Sequence, residues 1–212
     1  INMKKRWIKF TFVLLMLVGL VSCKKEKHVF LFGNFEKEWV TLFQRETSLP
    51  TQASFTSLSM TSNEMYKIAD TRSFAIQDGK KYMFEKQVQN SKMAILSIGY
   101  PDIQPYVTID TKNRNFSYDV SMINKQKELL IYNVFHVVEE LRSIRSSIPI
   151  YLLGIWKNFD FEEPEEKLFN SFLNEINEAL QEAISEQNVF YIPLNQVKTI
   201  EASVQEVKRY VL

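Results

Sequence analysis

The chain has 212 residues, 45% hydrophobic and 24% charged, with a formal net charge of +1. That balance describes one packed globular domain with no built-in attraction to nucleic acid. Five glycines exclude a Gly-rich phosphate loop, and a single cysteine, Cys23, excludes a disulfide framework.

The first 23 residues read as a separate segment. Lys4, Lys5, Arg6 and Lys9 form a basic region, and residues 10–20 are an uncharged apolar run. That run is shorter than the ~20 residues a spanning helix needs, and it closes on Leu20-Val21-Ser22-Cys23. This is the pattern of a secretory signal. The closing four residues resemble the bacterial lipoprotein box, which implies lipidation of Cys23 as the first mature residue, with Met3 as the initiator. The expected place is therefore the extracytoplasmic side of a bacterial membrane, with the membrane itself as partner through the anchor. From Cys23 onward the chain holds 22 basic and 25 acidic residues, a net of −3. Attachment is accordingly expected from the lipid, not from the domain's charge. Residues 24–27 form a short charged tether.

Residues 28–33, HVFLFG, are a compact apolar run closed by glycine and read as a first strand. Residues 36–46 place Trp39, Leu42 and Phe43 at helical spacing. Residues 53–59 alternate weakly and predict a second strand. Thr61-Ser62-Asn63-Glu64 has the form of a capping box opening a helix over 61–69. Asp78-Gly79 is a turn, and 81–90 is expected to be helical. Residues 93–98, MAILSI, are apolar or small and end at Gly99, as a buried parallel strand should. Residues 100–121, with Pro101 and Pro105, are expected to be irregular. A long helix over 124–145 aligns Leu130, Val134, Val137, Val138, Leu141 and Ile144. A strand over 148–155, a helix over 165–186 with Leu168, Phe172, Ile176 and Leu180 on one face, a strand over 188–194 and a closing helix over 200–212 complete the chain. Alternating strands and helices predict an α/β fold of three layers, with five parallel strands between helices. Function in such folds is built at the carboxyl ends of the strands.

The order of these elements, with PIYLLGIW and NVFYIPL as the last two strands, resembles the SGNH (GDSL-type) hydrolases, most closely their lipid-anchored members. The resemblance spans residues 28–212 and implies an ester-hydrolase cleft. The chemical blocks of the family are altered. Gly33-Asn34-Phe35 stands where the resemblance implies Gly-Asp-Ser, so the nucleophilic hydroxyl is replaced by a ring that cannot attack. Ser59-Met60 lacks the expected glycine of the second block, although backbone N–H groups remain. Gly99-Tyr100-Pro101-Asp102 puts proline where an oxyanion-binding Asn is implied, removing that donor. Residues 195–199 contain neither Asp nor His, where the family has both.

His28 begins the first strand, far from that edge. His136 falls about 120° from the apolar centre of its helix at 100° per residue, and reads as a solvated helix residue. Two remote histidines imply no metal site, and no cofactor is implied. Ser57, Ser59, Ser62 and Ser97 read as strand and cap residues. Of the acidic residues Asp160, Glu162, Glu163, Glu165 and Glu166, the glutamates suit the start of a helix. The expected function is a lipid-anchored, non-catalytic binding or accessory module. Gly33, Asn34, Phe35, Ser59, Met60, Gly99, Tyr100, Pro101 and Asp102 are expected to line a cleft for an acyl or glycan group. The alternatives are an active ester hydrolase using unfamiliar residues and a decaying gene product.

Overall fold

The computed structural model describes residues 27–110, 112, 113, 115–156 and 165–212. The signal segment, Cys23, most of the tether and Asp160, Glu162 and Glu163 lie outside the described residues.

Strand β1 (His28–Gly33) is buried from Val29 onward. It lies between β2 (Thr51–Thr56) and β5 (Ser91–Ser97), followed by β8 (Ile150–Leu153) and β9 (Phe190–Ile192), and every pairing in this sheet is parallel. Alternate residues of β1 serve opposite layers, as the two-residue period of a strand requires. Phe30 and Phe32 face α2 (Ser62–Asp70), α3 (Phe84–Gln89), α5 (Val120–Ile144) and α6 (Glu165–Ile184). Val29 and Leu31 face α1 (Lys37–Thr47) and α7 (Ile200–Val211). The fold is thus the expected three-layer α/β/α sandwich. Phe30, Phe32, Phe55 and Phe84 form a cluster with ring centres 5.1–6.4 Å apart.

The chain leaves β1 to form β2 on one side and then crosses to β5 on the other. That reversal makes the crevice above β1 and β5 the switch point where such sheets take ligands. Gly33 closes β1 at φ +112°, and a Cβ there would stand 2.2 Å from the Ser97 carbonyl oxygen. Only glycine lets the two strand ends meet this closely. The Thr61 box forms as expected: Thr61 Oγ1 accepts the Glu64 N–H at 3.2 Å, and Glu64 Oε2 accepts the Thr61 N–H at 2.8 Å.

Several boundaries differ from the sequence-based expectation. The second strand ends at Thr56, not 59, because the Met60 N–H bonds the Ser57 carbonyl at 3.1 Å and turns the chain. The last two strands are shorter than expected, and α5 begins at Val120, capped by Asp119. Residues 81–90 are not one helix. A hairpin of β3 (Phe74–Gln77) and β4 (Lys80–Met83) precedes α3, joined by Asp78 and Gly79, both at positive φ, as a two-residue hairpin turn requires. Residues 100–121 are structured. A short helix α4 (Tyr100–Ile103) and a 3-10 turn lead to a hairpin, β6 (Val107–Asp110) and β7 (Asn115–Tyr118). This hairpin is pinned to α6 by Phe116 against Phe169 and Tyr118 against Phe172, with ring centres 5.1 and 4.5 Å apart. On α6 the buried face is set by Phe169 and Leu173 as well as Phe172 and Ile176, while Leu168 is exposed.

Candidate functional site

A cavity of about 730 Å3 opens at the carboxyl edge of the sheet. Its walls come from the turn after β1 (Asn34, Phe35, Glu36), from Trp39 on α1, from Leu58 after β2, and from Ser97, Ile98, Tyr100 and Gln104 at the end of β5. Leu153–Trp156 after β8 and Lys198–Glu201 at the start of α7 close it.

Phe35 is 5% exposed and lies against Trp39, with ring centres 4.9 Å apart. Trp39 is itself fixed by stacking on Phe43 and by donating Nε1–H to Ser203 Oγ at 2.9 Å. The ring of Phe35 therefore walls an open cleft and does not fill it. Asn34 donates its side-chain amide to the Leu58 carbonyl and its backbone N–H to the Ser97 carbonyl at 2.8 Å. The Phe35 N–H is turned to the Gly33 carbonyl at 3.1 Å. The Ser59 and Met60 N–H groups bond Ser57, at Oγ and the carbonyl. The Phe35, Ser59 and Met60 amides are thus engaged within their own turns.

Of the nine positions expected to line the cleft, only Asn34, Phe35 and Tyr100 are lining residues. Gly33 and Gly99 lie beneath the floor; a Cβ on Gly99 would meet Ile155 Cδ1 at 2.5 Å. Met60 turns to the core, and the Ser57–Met60 turn puts Leu58 at the rim, 59% exposed. Ser59 is exposed with its hydroxyl 3.2 Å from that of Ser57.

Pro101 opens α4, and Asp102 points away from the cleft to α2. The Asp102 carboxylate accepts the Ser62 N–H at 2.9 and 3.1 Å and the Ser62 hydroxyl at 2.7 Å, and Ser62 Oγ accepts from Asn133 at 2.9 Å. Burial raises the Asp102 carboxyl above its ordinary value of 3.8, and the Ser62 bonds oppose that rise.

Neither histidine lines the cavity. His28 stands at the amino edge, with Nε2 3.4 Å from Ser91 Oγ. His136 is half-buried, not fully solvated: Nδ1 is 3.0 Å from Glu139 Oε2, and the rings of Tyr66 and Tyr132 flank it. Among the described residues, no three of His, Cys, Asp or Glu come together to hold a metal ion. No described helix is long and apolar enough to cross a membrane.

Burial pushes the Tyr100 hydroxyl up to about 12, so it stays a neutral phenol in the wall. Lys198 pairs with Glu166 across the rim at 2.5 Å, and this bond holds its amine above the ordinary lysine range. Thr199 caps α7, its Oγ1 accepting the Ala202 N–H at 3.1 Å. Trp39, Leu58, Trp156 and Lys198 are lining residues that sequence reasoning missed. Trp39 alone carried a signal, its four-residue spacing from Phe35.

No family model matches the chain, and no curated protein matches it in sequence. Solved structures match it in fold. A lipase from a goat rumen metagenome is 12% identical, with a TM-score of 0.59 over 87% of this chain and 97% of that one. A candidate platelet activating factor from Streptococcus pneumonia is 16% identical, with a TM-score of 0.58 over 88% and 85% of the two chains. A GDSL-like lipase from Bacteroides thetaiotaomicron is 13% identical, with a TM-score of 0.52 over 88% and 87%. The chain therefore has the fold of the GDSL-like lipases, the SGNH hydrolases, over about 88% of its length. At these identities the likeness is one of fold.

Proposed function

We propose that this protein is a non-catalytic binding module on the SGNH hydrolase fold. A lipid on Cys23 holds it at the outer face of a bacterial membrane, and its cleft receives an acyl or glycan group. One observation carries the reading. Phe35, where the resemblance implies the nucleophile, is buried against Trp39 in the wall of a cleft that is open at about 730 Å3. No imidazole lines that cleft. Ester hydrolysis by this fold needs a hydroxyl, a base to take its proton and donors for the oxyanion. The cleft instead offers the rings of Phe35, Trp39 and Trp156 beside polar groups such as Glu36, Gln104 and Lys198, a mixed lining that suits binding.

The test is hydrolysis of activated p-nitrophenyl esters by the purified mature protein. No turnover above background is expected, and Phe35→Ser is expected to restore none, since no histidine is placed to accept the proton. Turnover that survives Phe35→Ala but disappears in Ser57→Ala, Ser59→Ala or Ser62→Ala would make the protein an enzyme. For the binding role, acyl chains and glycans are screened by thermal shift. A ligand at a hundred times its Kd should add about 2.7 kcal/mol of stability, and Trp39→Ala or Trp156→Ala should abolish the shift.

A further inference from the structure

The outer face of hairpin β3–β4 is not used by the function above. The cross-strand pair Ala75 and Tyr82 turns inward and packs on the core. The opposite face carries Phe74 and Ile76, 51% and 70% exposed. Ile76 is paired with Lys81, whose Nζ sits 3.9 Å from the centre of the Phe74 ring, while Lys80, paired with Gln77, is exposed at the turn on the other face. Bulky apolar side chains fringed by an amine suit an anionic lipid surface. There the ring and the branched chain enter the headgroup region while the amine stays at the phosphates.

Its position in the fold agrees. His28, where the sheet begins, is level with Ser91, the first residue of β5. α2 runs from the carboxyl edge, where Ser62 meets Asp102, back to the amino edge, and the hairpin follows it. At the hairpin's base Arg72 reaches Ser143 near the end of α5, and α3 leads from Phe84 to Ser91. The base of the hairpin, where the Phe84 ring packs on Phe30 and Phe32, therefore lies beside the middle of the sheet, and the chain reaches the amino edge from there through α3. Five residue steps separate Cys23 from His28, at most ~18 Å of extended chain. A lipid on Cys23 would hold the amino edge within that distance of the bilayer.

The charge is divided in the same sense. Residues 24–27 hold three lysines against one glutamate, and residues 72–86 hold four basic against two acidic residues, +2 in each. Residues 24–212 as a whole, with 22 basic and 25 acidic residues, are at −3, so the remainder is at −7.

We propose that hairpin β3–β4 seats the domain on an anionic bilayer through Phe74 and Ile76, with Lys81 at the phosphates. The cleft then faces away from the membrane that carries the anchor. This inference rests on the lipid-anchor reading above. The test uses the acylated mature protein in vesicles of phosphatidylglycerol and phosphatidylethanolamine. Either Ile76→Cys or Leu58→Cys carries a nitrobenzoxadiazole label. Cys23 is the chain's only native cysteine and its thiol is consumed by the lipid, so each variant takes one label. Spin-labelled lipids should quench the label at position 76 at least twofold and leave that at position 58, on the cleft rim, unchanged. Lys81→Glu should halve the quenching at position 76. Quenching at position 58, with or without position 76, overturns the orientation. An acylated protein with neither label quenched, or quenching indifferent to the lysine change, overturns the seating. Mass spectrometry finding no acyl group on Cys23 overturns the anchor reading and this inference with it, so the two failures are told apart.

Discussion

Asp102 offers the most discriminating perturbation of the fold around the cleft. Its carboxylate takes both donors of Ser62, a residue with no exposed surface, and Asn133 already donates to the Ser62 oxygen. Asp102→Ala would leave the Ser62 N–H and O–H without acceptors, at about 1–3 kcal/mol each. Relief of the desolvated carboxylate offsets part of that, leaving a net loss of about 3 kcal/mol. For a domain of this size 1 kcal/mol corresponds to about 2–4 °C, so Tm should fall by roughly 6–12 °C. Asp102→Asn keeps one acceptor and removes the charge, and should stay within about 1.5 kcal/mol of the native chain. The two variants also separate by pH. Burial raises the Asp102 carboxyl, so between 3.8 and its raised value the folded state holds a proton that the unfolded chain has released. The native chain should therefore gain stability relative to D102N as pH falls from 7 towards 4. Thermal unfolding followed by circular dichroism from pH 4 to 8 measures both effects. An Asp102→Ala protein as stable as the native chain at pH 7, or a native chain that loses ground to D102N on acidification, would refute the reasoning.

Asn177 is 4% exposed and bonds both backbone groups of Ile155 in the cleft wall, accepting N–H at 2.7 Å and donating to the carbonyl at 2.8 Å. Asn177→Ala should cost about 2–5 kcal/mol, since it leaves both groups buried and unpaired; the urea midpoint measures it. Ser203→Ala removes the acceptor of the buried Trp39 Nε1–H and should cost about 1–3 kcal/mol by the same measurement. Cys23→Ala should leave the protein unprocessed or release it from the membrane fraction. A variant still cleaved at the same place and still membrane-bound would refute the lipobox reading.

Much of the fold was legible because buried parallel strands are short apolar runs, and 28–33 and 93–98 carry that signature whatever surrounds them. The Thr61–Glu64 box is local chemistry and formed as read. The hairpin at Asp78-Gly79 was half legible: the turn was readable, but its pairing competed with a helical pattern over 81–90, and the Ala75–Tyr82 contact with the core selects between them. In the cleft, the sequence by itself determined that position 35 carries no hydroxyl, since that holds for a phenylalanine wherever it points. It could not determine which side chains face the cavity. Side-chain direction in the Ser57–Met60 turn follows no period, and one hydrogen bond there sends Met60 inward and Leu58 out. Asp102 reads as part of a cleft motif but is taken by Ser62, forty residues earlier, and Lys198 reaches the rim beside Glu166, thirty-two residues earlier. Such pairings depend on how the helices cross the sheet, which no local pattern encodes. Only the tertiary structure decided them, along with the open cleft.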